Sequence, residues 1–260
     1  MAQMPTIVIG ILIILLAVLF ALAGVAFTQR RIPLELRKSH TTGLSIINGG
    51  LGAMFGVIVG FSAFLVLNKY HAAQQTVQSE AAEVEEIYRL AEQLPQPARD
   101  QIQGLATSYA RVVVGEEWPL MRQNRTSPRA DYLRDELRSR IQQDYMSSTG
   151  TEQEFFGQAL DAVDQLDEDR EARLLDVRQR LPSILWIALV GLAINMIGFT
   201  FLVGMESRRL HLLTVAALTT GITLVLFTIG ILDRPFGTDF QVEVQPFESV
   251  LHEIEQEEQR

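Results

Sequence analysis

Four long stretches of the sequence contain no charged residue. They cover residues 1–29, 39–68, 181–205 and 210–232. Each holds about 20 or more mostly apolar residues, which is enough for a helix rising 1.5 Å per residue to cross a hydrocarbon core roughly 30 Å thick. A soluble chain rarely contains four such stretches. We therefore predict an all-α integral membrane protein with four transmembrane helices, located as a multi-pass protein in a cell membrane.

These stretches divide the chain into helix pairs and polar segments. The predicted spans lie at about residues 6–28, 46–67, 183–204 and 211–232. The predicted parts are a transmembrane helix pair (1–67), a helical soluble insert (68–182), a second transmembrane helix pair (183–232) and an acidic C-terminal tail (233–260).

Hydrophobic periodicity predicts that the insert is helical throughout. From Val77 to Leu94 apolar residues recur at nearly heptad spacing, and neither glycine nor proline separates them from the second span. One helix should therefore leave the membrane and end at "PQP", because proline removes a backbone donor and clashes with the preceding turn. Further along, Ser127 is predicted to be a helix N-cap, and Thr151 with Glu154 fits a capping box.

Two further patterns complete the reading of the insert. The helix after Ser127 should pack through an apolar stripe of Leu133, Leu137, Ile141 and Tyr145. The many carboxylates of the insert are interpreted as lying on solvated helix faces, so that no paired acid–base site can be chosen among them.

The distribution of charge predicts which ends of the spans face the cytoplasm. The two short connections, residues 29–38 and 206–209, carry six basic and two acidic residues, a net charge of +4. The insert carries 14 basic and 21 acidic residues, and the tail two basic and eight acidic. Because basic connections stay on the cytoplasmic side, the short loops should be cytoplasmic and the insert extracytoplasmic.

The second span has the most distinctive composition, "GGLGAMFGVIVGF". Gly52, Gly56 and Gly60 recur every four residues and leave a strip of bare backbone, which is typical of close helix packing in lipid. Aromatic residues on other faces either pack against lipid and neighbouring helices or form a ring that constricts a pore. In the second interpretation one sector presents Phe55 and Phe61 to the axis while Phe64 faces a neighbour. The candidate pore-lining residues are Phe55, Phe61, Ser62 and Asn68.

The last uncharged stretch ends in the segment Asp233, Arg234, Pro235, Phe236 and Gly237. The C-terminal end of a helix carries partial negative charge, which disfavours Asp233, so this carboxylate should find a partner such as Arg234, Arg178 or Arg180. Pro235 prevents another regular helical turn. The segment is either a membrane-exit motif or a clamp between subunits.

Several classes of function lack their sequence signatures. The spans contain no acidic or basic residue of the kind that proton-coupled pumps place within the membrane. There is no phosphate-binding glycine loop, no HExxH and no nucleophile elbow, and the chain has no cysteine. We therefore expect no catalytic activity, no cofactor, no metal site and no nucleic-acid partner. The expected partners are membrane lipid, inorganic ions and further copies of the chain.

Four segments resemble a known family. They read "GVIVGFSAFLVLNKYHAAQQTVQSEAAEV", "RLAEQLP", "GEEWPLM" and "LDRPFG", and their order is similar to that of the bestrophin-like family of prokaryotic and plant membrane proteins. The matching positions are Glu80–Ala81, Leu94–Pro95, Glu117–Trp118–Pro119 and Asp233 with Pro235–Phe236–Gly237. Bestrophins are pentameric, calcium-activated anion channels with helical soluble regions. The resemblance therefore implies a homo-oligomeric ion channel, and it implies an orientation opposite to the charge interpretation, with the insert in the cytoplasm.

Three hypotheses follow. The preferred one is a homo-oligomeric bestrophin-like ion channel whose pore is lined by the second transmembrane helix, with the selected ion left open. The alternatives are a non-conducting sensor or scaffold whose insert binds a partner, and a stator-like subunit of an ion-driven motor.

Overall fold

Every regular element in the part of the chain that the structure describes is helical. The structure is a computed structural model, and it describes residues 6–237 and 242–258. Its helices are α1 (Thr6–Arg31), α2 (Leu34–Ala91), α3 (Ala98–Val112), α4 (Trp118–Met121), α5 (Pro128–Ser147), α6 (Thr151–Arg178), α7 (Ser183–Leu202), α8 (Arg208–Leu232) and α9 (Gln245–Glu258). A π-helical segment, Val113–Glu117, joins α3 to α4. The predicted all-helical fold is confirmed for these residues.

Helical segments in the described residues are long and apolar enough to cross a membrane. There are four of them: Thr6–Arg31, Leu34–Ala91, Thr151–Leu202 and Arg208–Leu232. The third comprises α6 and α7, which the non-helical residues 179–182 separate. The chain thus has the composition of a helical membrane protein.

Helix α2 runs without a break for 58 residues. It begins directly after Pro33, and it ends at Ala91, three residues before the Leu94 that the sequence predicted. The predicted continuity between the uncharged stretch and the seam that starts at Val77 is confirmed. The residues between them contain no glycine or proline to interrupt the helical hydrogen bonds.

The chain separates into two compact units. The first, which we call the apolar unit, comprises Met1–Asn68 and Arg180–Asp233, and it holds the uncharged stretches. The second, the charged unit, comprises Lys69–Gln179 and Arg234–Arg260. The segment that follows Asp233 therefore belongs to the same unit as the insert.

In the apolar unit, α1 packs against α7 and α8. Two glycines of α1 make this packing close. A Cβ on Gly10 would lie 2.4 Å from the ring of Phe227 in α8, and a Cβ on Gly24 would lie 2.4 Å from the ring of Phe201 in α7. The rings therefore lie directly on the α1 backbone, which is the small-residue packing expected where no hydrophobic effect drives helix association.

The charged unit has its own apolar core, in which α3 contacts α5 and α9, and α5 contacts α6. Its largest fully buried apolar residues include Ile87, Leu94, Ile102, Tyr109, Leu137, Ile141, Leu166 and Phe247. The predicted stripe of α5 is confirmed, since three of its members are buried and Tyr145 packs against the same core. The prediction of Ser127 as N-cap is also confirmed, because its hydroxyl accepts a hydrogen bond from the Ala130 N–H.

The predicted capping box at Thr151 is wrong. The N-cap is Gly150, whose φ of +65° turns the chain in a conformation that glycine adopts without steric cost. Thr151 is already helical, so its hydroxyl does not occupy the capping position.

Candidate functional site: helix α2 and a buried charge cluster

The four candidate pore residues lie on two different faces of α2. Phe55 is 8% exposed and Ser62 is fully buried, whereas Phe61 is 54% exposed and Asn68 is exposed. At 100° per residue, Phe55 and Phe61 are about 120° apart around the helix. The two rings therefore do not share the sector that the sequence interpretation gave them.

The exposed face of α2 is a continuous apolar stripe. Its members, spaced by three or four residues, are Met54, Val57, Phe61 and Phe64, and the polar Asn68 follows four residues further along the same face. Phe64 is only about 60° from Phe61 at this helical spacing. The opposite stripe, which contains Phe55 and Val66, packs in the core of the apolar unit with Leu189 and Ile222. Phe61 thus remains available for a partner outside the chain.

The glycines of α2 differ in what surrounds them. A Cβ on Gly52 would lie 3.4 Å from the Met196 methyl group, an ordinary contact within the chain. A Cβ on Gly56 or on Gly60 would meet nothing within 4 Å. No residue between 6 and 237 or between 242 and 258 therefore covers the bare backbone at these two positions.

Asp233 is the C-cap of α8 and is almost fully buried. Its carboxylate accepts a 2.6 Å hydrogen bond from the Leu181 N–H, just before α7 begins. The N-terminal end of a helix favours negative charge, so this position offsets the unfavourable end of α8. Arg180, one of the three predicted partners, donates to the main-chain carbonyl oxygen of Asp233 at 3.2 Å.

The rest of the exit segment is anchored in the charged unit. Pro235 and Phe236 are buried, and the Phe236 ring lies edge-on to Trp118 with 5.7 Å between ring centroids. The Gly237 N–H donates to the Arg234 carbonyl oxygen, and the Val242 N–H donates to the Pro235 carbonyl oxygen at 2.7 Å. Arg234 itself is exposed.

Near Trp118 the charged unit encloses three ion pairs that share two arginines and two glutamates. The Arg173 guanidinium and the Glu80 carboxylate are both fully buried, and Nε and Nη2 of Arg173 donate to the two carboxylate oxygens at 2.5 and 2.8 Å. The Tyr109 hydroxyl donates to the same carboxylate at 2.6 Å. The Arg173 guanidinium also lies 5.6 Å from the centre of the Trp118 ring, within range of a cation–π interaction.

Glu117 connects this pair to a second arginine. Its Oε2 accepts from Arg173 Nη2 at 2.8 Å, and its Oε1 accepts from Arg170 Nη2 at 2.6 Å. The Ser127 N–H donates to Oε1 as well. Arg170 reaches outward to the half-exposed carboxylate of Asp131 at 2.6 Å. We call Glu80, Glu117, Arg170 and Arg173 the charge cluster.

The charge cluster corrects the interpretation that the carboxylates of the insert are all solvated. Its members are separated by up to 93 residues in sequence, so no local spacing reveals the pairs. The spacing of buried residues in α6 does indicate that its two arginines are buried. The buried positions Phe156, Ala159, Val163, Leu166, Arg170, Arg173 and Val177 follow one another at steps of three and four. Both arginines therefore occupy seam positions where an apolar residue is expected, and Glu80 has the same relation to Val77 and Val84 in α2.

The π-helical segment determines where Glu117 lies. Pro119 cannot donate a backbone hydrogen bond, and the five residues Val113–Glu117 widen the helix just before it. Glu117, the last residue of this segment, is fully buried, and Trp118, the first residue of α4, is almost fully buried.

Mutual contact stabilises the charged forms in the cluster. Burial alone would raise the pKa of the Glu117 carboxyl, but the nearby guanidiniums of Arg173 and Arg170 outweigh it and lower that pKa. Burial would likewise lower the pKa of both arginines. The negative charges of Glu80 and Glu117, which accept hydrogen bonds from the arginines, outweigh burial and raise that pKa. Burial, together with the Glu80 charge, raises the pKa of Tyr109 well above its ordinary value, so its hydroxyl remains a donor.

The cluster is therefore suited to holding helices together rather than to moving protons near neutral pH. A cleft of about 420 Å³ beside it is lined by Asp131, Arg134, Asp167 and Arg170, among others, and these four side chains are paired with one another. Within residues 6–237 and 242–258, no group of three or more His, Asp or Glu side chains is placed to hold a metal ion.

Replacing one buried carboxylate should destabilise the charged unit strongly. In Glu117→Gln both arginines lose a counter-charge without gaining water, which costs about 3–5 kcal/mol. We expect the thermal midpoint of the purified protein in detergent, followed by circular dichroism, to fall clearly. Glu136→Gln is the matched control, since Glu136 is exposed on α5 and its loss should change stability by less than about 0.5 kcal/mol.

The stability of the parent protein and that of Glu117→Gln should depend differently on pH. Because the pKa of folded Glu117 lies below its ordinary value of 4.5, its contribution to stability is present above that value and is lost as the pH falls through the folded pKa. The difference in midpoint between the parent and Glu117→Gln should therefore narrow below about pH 4. A difference that is absent at pH 7, or that widens in acid, would contradict the assignment.

Comparison with known proteins agrees with this architecture. A family model, the bestrophin-like domain, matches residues 15–247. Two variants of a bacterial bestrophin homolog from Klebsiella pneumoniae are similar in structure. One has a TM-score of 0.70 at 13% identity over 94% of this chain and 97% of its own. The other has a TM-score of 0.66 at 14% identity over 96% and 99%. Such low identity shows a shared fold alone, and a search of curated proteins found no match.

Four of the residues that carry the sequence resemblance, Glu80, Glu117, Trp118 and Phe236, lie in the charged unit. Glu80 and Glu117 form the acidic half of the charge cluster, and Trp118 lies between Arg173 and Phe236. Since the family model covers most of the sequence, from residue 15 to residue 247, this chain belongs to the bestrophin-like family.

Proposed function

We propose that the protein is the subunit of a homo-oligomeric ion channel, with four transmembrane helices, a helical insert between the second and third, and a pore lined by α2. Membership of the bestrophin-like family supports this proposal, and the resemblance to bestrophins implies five subunits. The observation that carries the proposal is the exposed stripe of α2, which the chain leaves uncovered.

The stripe fits a contact between copies better than a contact with lipid alone. Gly56 and Gly60 offer lipid almost no surface, whereas they let a neighbouring helix approach the backbone and gain dispersion contacts. Large apolar side chains, among them Val57 and Phe64, flank the glycines on the exposed side. Symmetric copies that pack through the glycines would bring one α2 per subunit around a common axis.

Phe61 is the proposed constriction of that pore. A phenyl ring offers water no hydrogen bonds, so a narrow ring of them forms a dry barrier to ions without a moving plug. Asn68 lies two helical turns further along the same stripe and would supply polar groups at the pore mouth. Phe55 and Ser62 lie on the buried stripe, where we propose that they support the pore helix from behind.

The proposed orientation follows the charge distribution. With a net charge of +4, the short connections would be cytoplasmic and the insert extracytoplasmic. The insert's excess of acidic residues would then concentrate cations at its end of the pore, whereas the resemblance to bestrophins implies anions. Flux assays should therefore follow both K⁺ and Cl⁻.

Shortening Phe61 should open the constriction. We expect Phe61→Ala, reconstituted in liposomes, to show raised resting ion flux, because a wider and wetter gap lowers the barrier. Phe64→Ala is the matched control on the same stripe, and its flux should remain close to that of the parent. Gel filtration of each variant checks that the oligomer is intact.

Three outcomes would revise this proposal. A leak through Phe64→Ala with parental flux through Phe61→Ala would move the pore-facing sector by about 60°. Parental flux in both variants would remove α2 from the gate. A reconstituted parent that never conducts, at any voltage, would favour the non-conducting sensor or scaffold.

The orientation can be tested separately at Ser147, which is exposed near the end of α5. The chain contains no cysteine, so Ser147→Cys provides one unique thiol. We expect a membrane-impermeant maleimide to label it in intact cells, because the insert would be extracytoplasmic. Labelling that occurs only after lysis would support the orientation implied by bestrophins.

A further inference from the structure

Arg37 is a buried cation with unsatisfied hydrogen-bond donors. The residue is 7% exposed, and its Nε and Nη1 atoms are buried without a hydrogen-bond partner among the residues that the structure describes. Burying a charge without a partner is costly, and such groups are normally paired or bound to a ligand. Nothing in the described part of the chain supplies the acceptor that this guanidinium lacks.

Its surroundings are closely packed. Arg37 lies in the first turn of α2. A Cβ on Gly204 would lie only 2.5 Å from the Lys38 main-chain nitrogen, and the Gly204 N–H donates to the Thr41 hydroxyl at 3.0 Å. Lys38 pairs with Glu206 at 2.7 Å. The α1–α2 and α7–α8 connections therefore contact each other and form one end of the apolar unit.

Arg37 is one of the residues that line an apolar pocket at this end. The pocket has a volume of about 220 Å³ and is lined by Ile32, Leu36, Arg37, His40, Leu44 and Leu202. Leu36, His40 and Leu44 follow one another at four-residue steps and so share one face of α2. One cationic group at the edge of hydrocarbon walls is complementary to an amphiphile with an anionic head.

Most other charged residues around the pocket are positive, like Arg37. Four further cations, Arg30, Arg31, Arg208 and Arg209, are exposed on the two connections. Lys38 is already paired with Glu206, one of only two acidic residues in these connections. Basic clusters next to membrane spans attract anionic lipids with about 1 kcal/mol per cation.

We propose that this pocket binds an anionic phospholipid, with the phosphate on the Arg37 guanidinium and an acyl chain against Ile32, Leu44 and Leu202. A guanidinium forms paired hydrogen bonds with phosphate oxygens, and the free N–H groups at the start of α2 favour an anion at the same place. The proposal concerns this end of the apolar unit and does not depend on ion conduction.

Other occupants fit the pocket less well. A second copy would bring the same basic end toward this one, and like charges repel. Free inorganic phosphate would satisfy Arg37 but would leave the apolar walls exposed. A phospholipid satisfies both, and it is abundant where membrane-length helices end.

The test is lipid retention by the full-length protein. Native mass spectrometry of protein released from detergent micelles would count bound dioleoyl phosphatidylglycerol, with dioleoyl phosphatidylcholine and inorganic phosphate as comparison ligands. We expect the parent to retain phosphatidylglycerol preferentially, and Arg37→Gln to weaken that retention about tenfold or more, as the loss of a charge-assisted hydrogen-bond pair predicts. The control, Arg209→Gln, removes an exposed cation at the same end and should weaken retention by no more than about fivefold.

A second variant keeps the proposal testable if Arg37→Gln does not fold. Leu44→Trp retains every charge but fills the apolar part of the pocket, so it should also reduce phosphatidylglycerol retention. Parental retention in either folded variant would overturn the proposal, as would equal losses in Arg37→Gln and Arg209→Gln. Equal binding of inorganic phosphate and phosphatidylglycerol would identify a soluble-anion site instead. Loss of the oligomer in Arg37→Gln without any change in lipid retention would assign Arg37 to a subunit contact.

Discussion

Two arginines enclosed in a helical core impose the strongest constraint on the charged unit. Arg170 and Arg173 are removed from water, and each can remain there only because carboxylates accept its hydrogen bonds. The acceptors come from α2 and from the π-helical segment before α4, whereas both arginines come from α6. A shift of α6 by one helical turn would leave several buried charges without partners at once. We infer that the cluster sets the register of these elements as much as it stabilises them.

The apolar unit is held together by the opposite means. Glycines allow aromatic rings to lie on bare backbone, as at Gly10 and Gly24 in α1. The buried guanidinium of Arg37 lies at an end of the unit, and Gly56 and Gly60 are among the glycines of α2 that have open space beside them. Both features indicate contacts that a single chain does not provide. In our account, a lipid binds the Arg37 guanidinium, and neighbouring subunits pack against the open glycines of α2.

Local signals in the sequence predicted local structure well, whereas interactions between distant residues were missed. Charge-free stretches predicted the long apolar helices, and Ser127 was recognised as a cap because capping depends on a few adjacent residues. The predicted capping box at Thr151 was wrong because the turn at Gly150 depends on a backbone conformation that the residue pattern did not reveal. The charge cluster joins residues 80, 117, 170 and 173, and sequence alone does not pair such positions. Extending the seam of α6 from Phe156 and Val163 would still have marked both arginines as buried. The prediction that Phe55 and Phe61 share one pore-facing sector was wrong because helical geometry alone separates them by about 120°.

Imaging the protein by single-particle electron microscopy in lipid nanodiscs would test the central claim, that copies of this chain assemble around a pore formed by α2. Our account predicts a closed ring of identical subunits in which α2 is the helix nearest the axis, with Phe61 at the narrowest point and Gly56 against a neighbouring helix. A monomer, or a ring in which α2 lies on the lipid-facing side and another helix lines the axis, would contradict it.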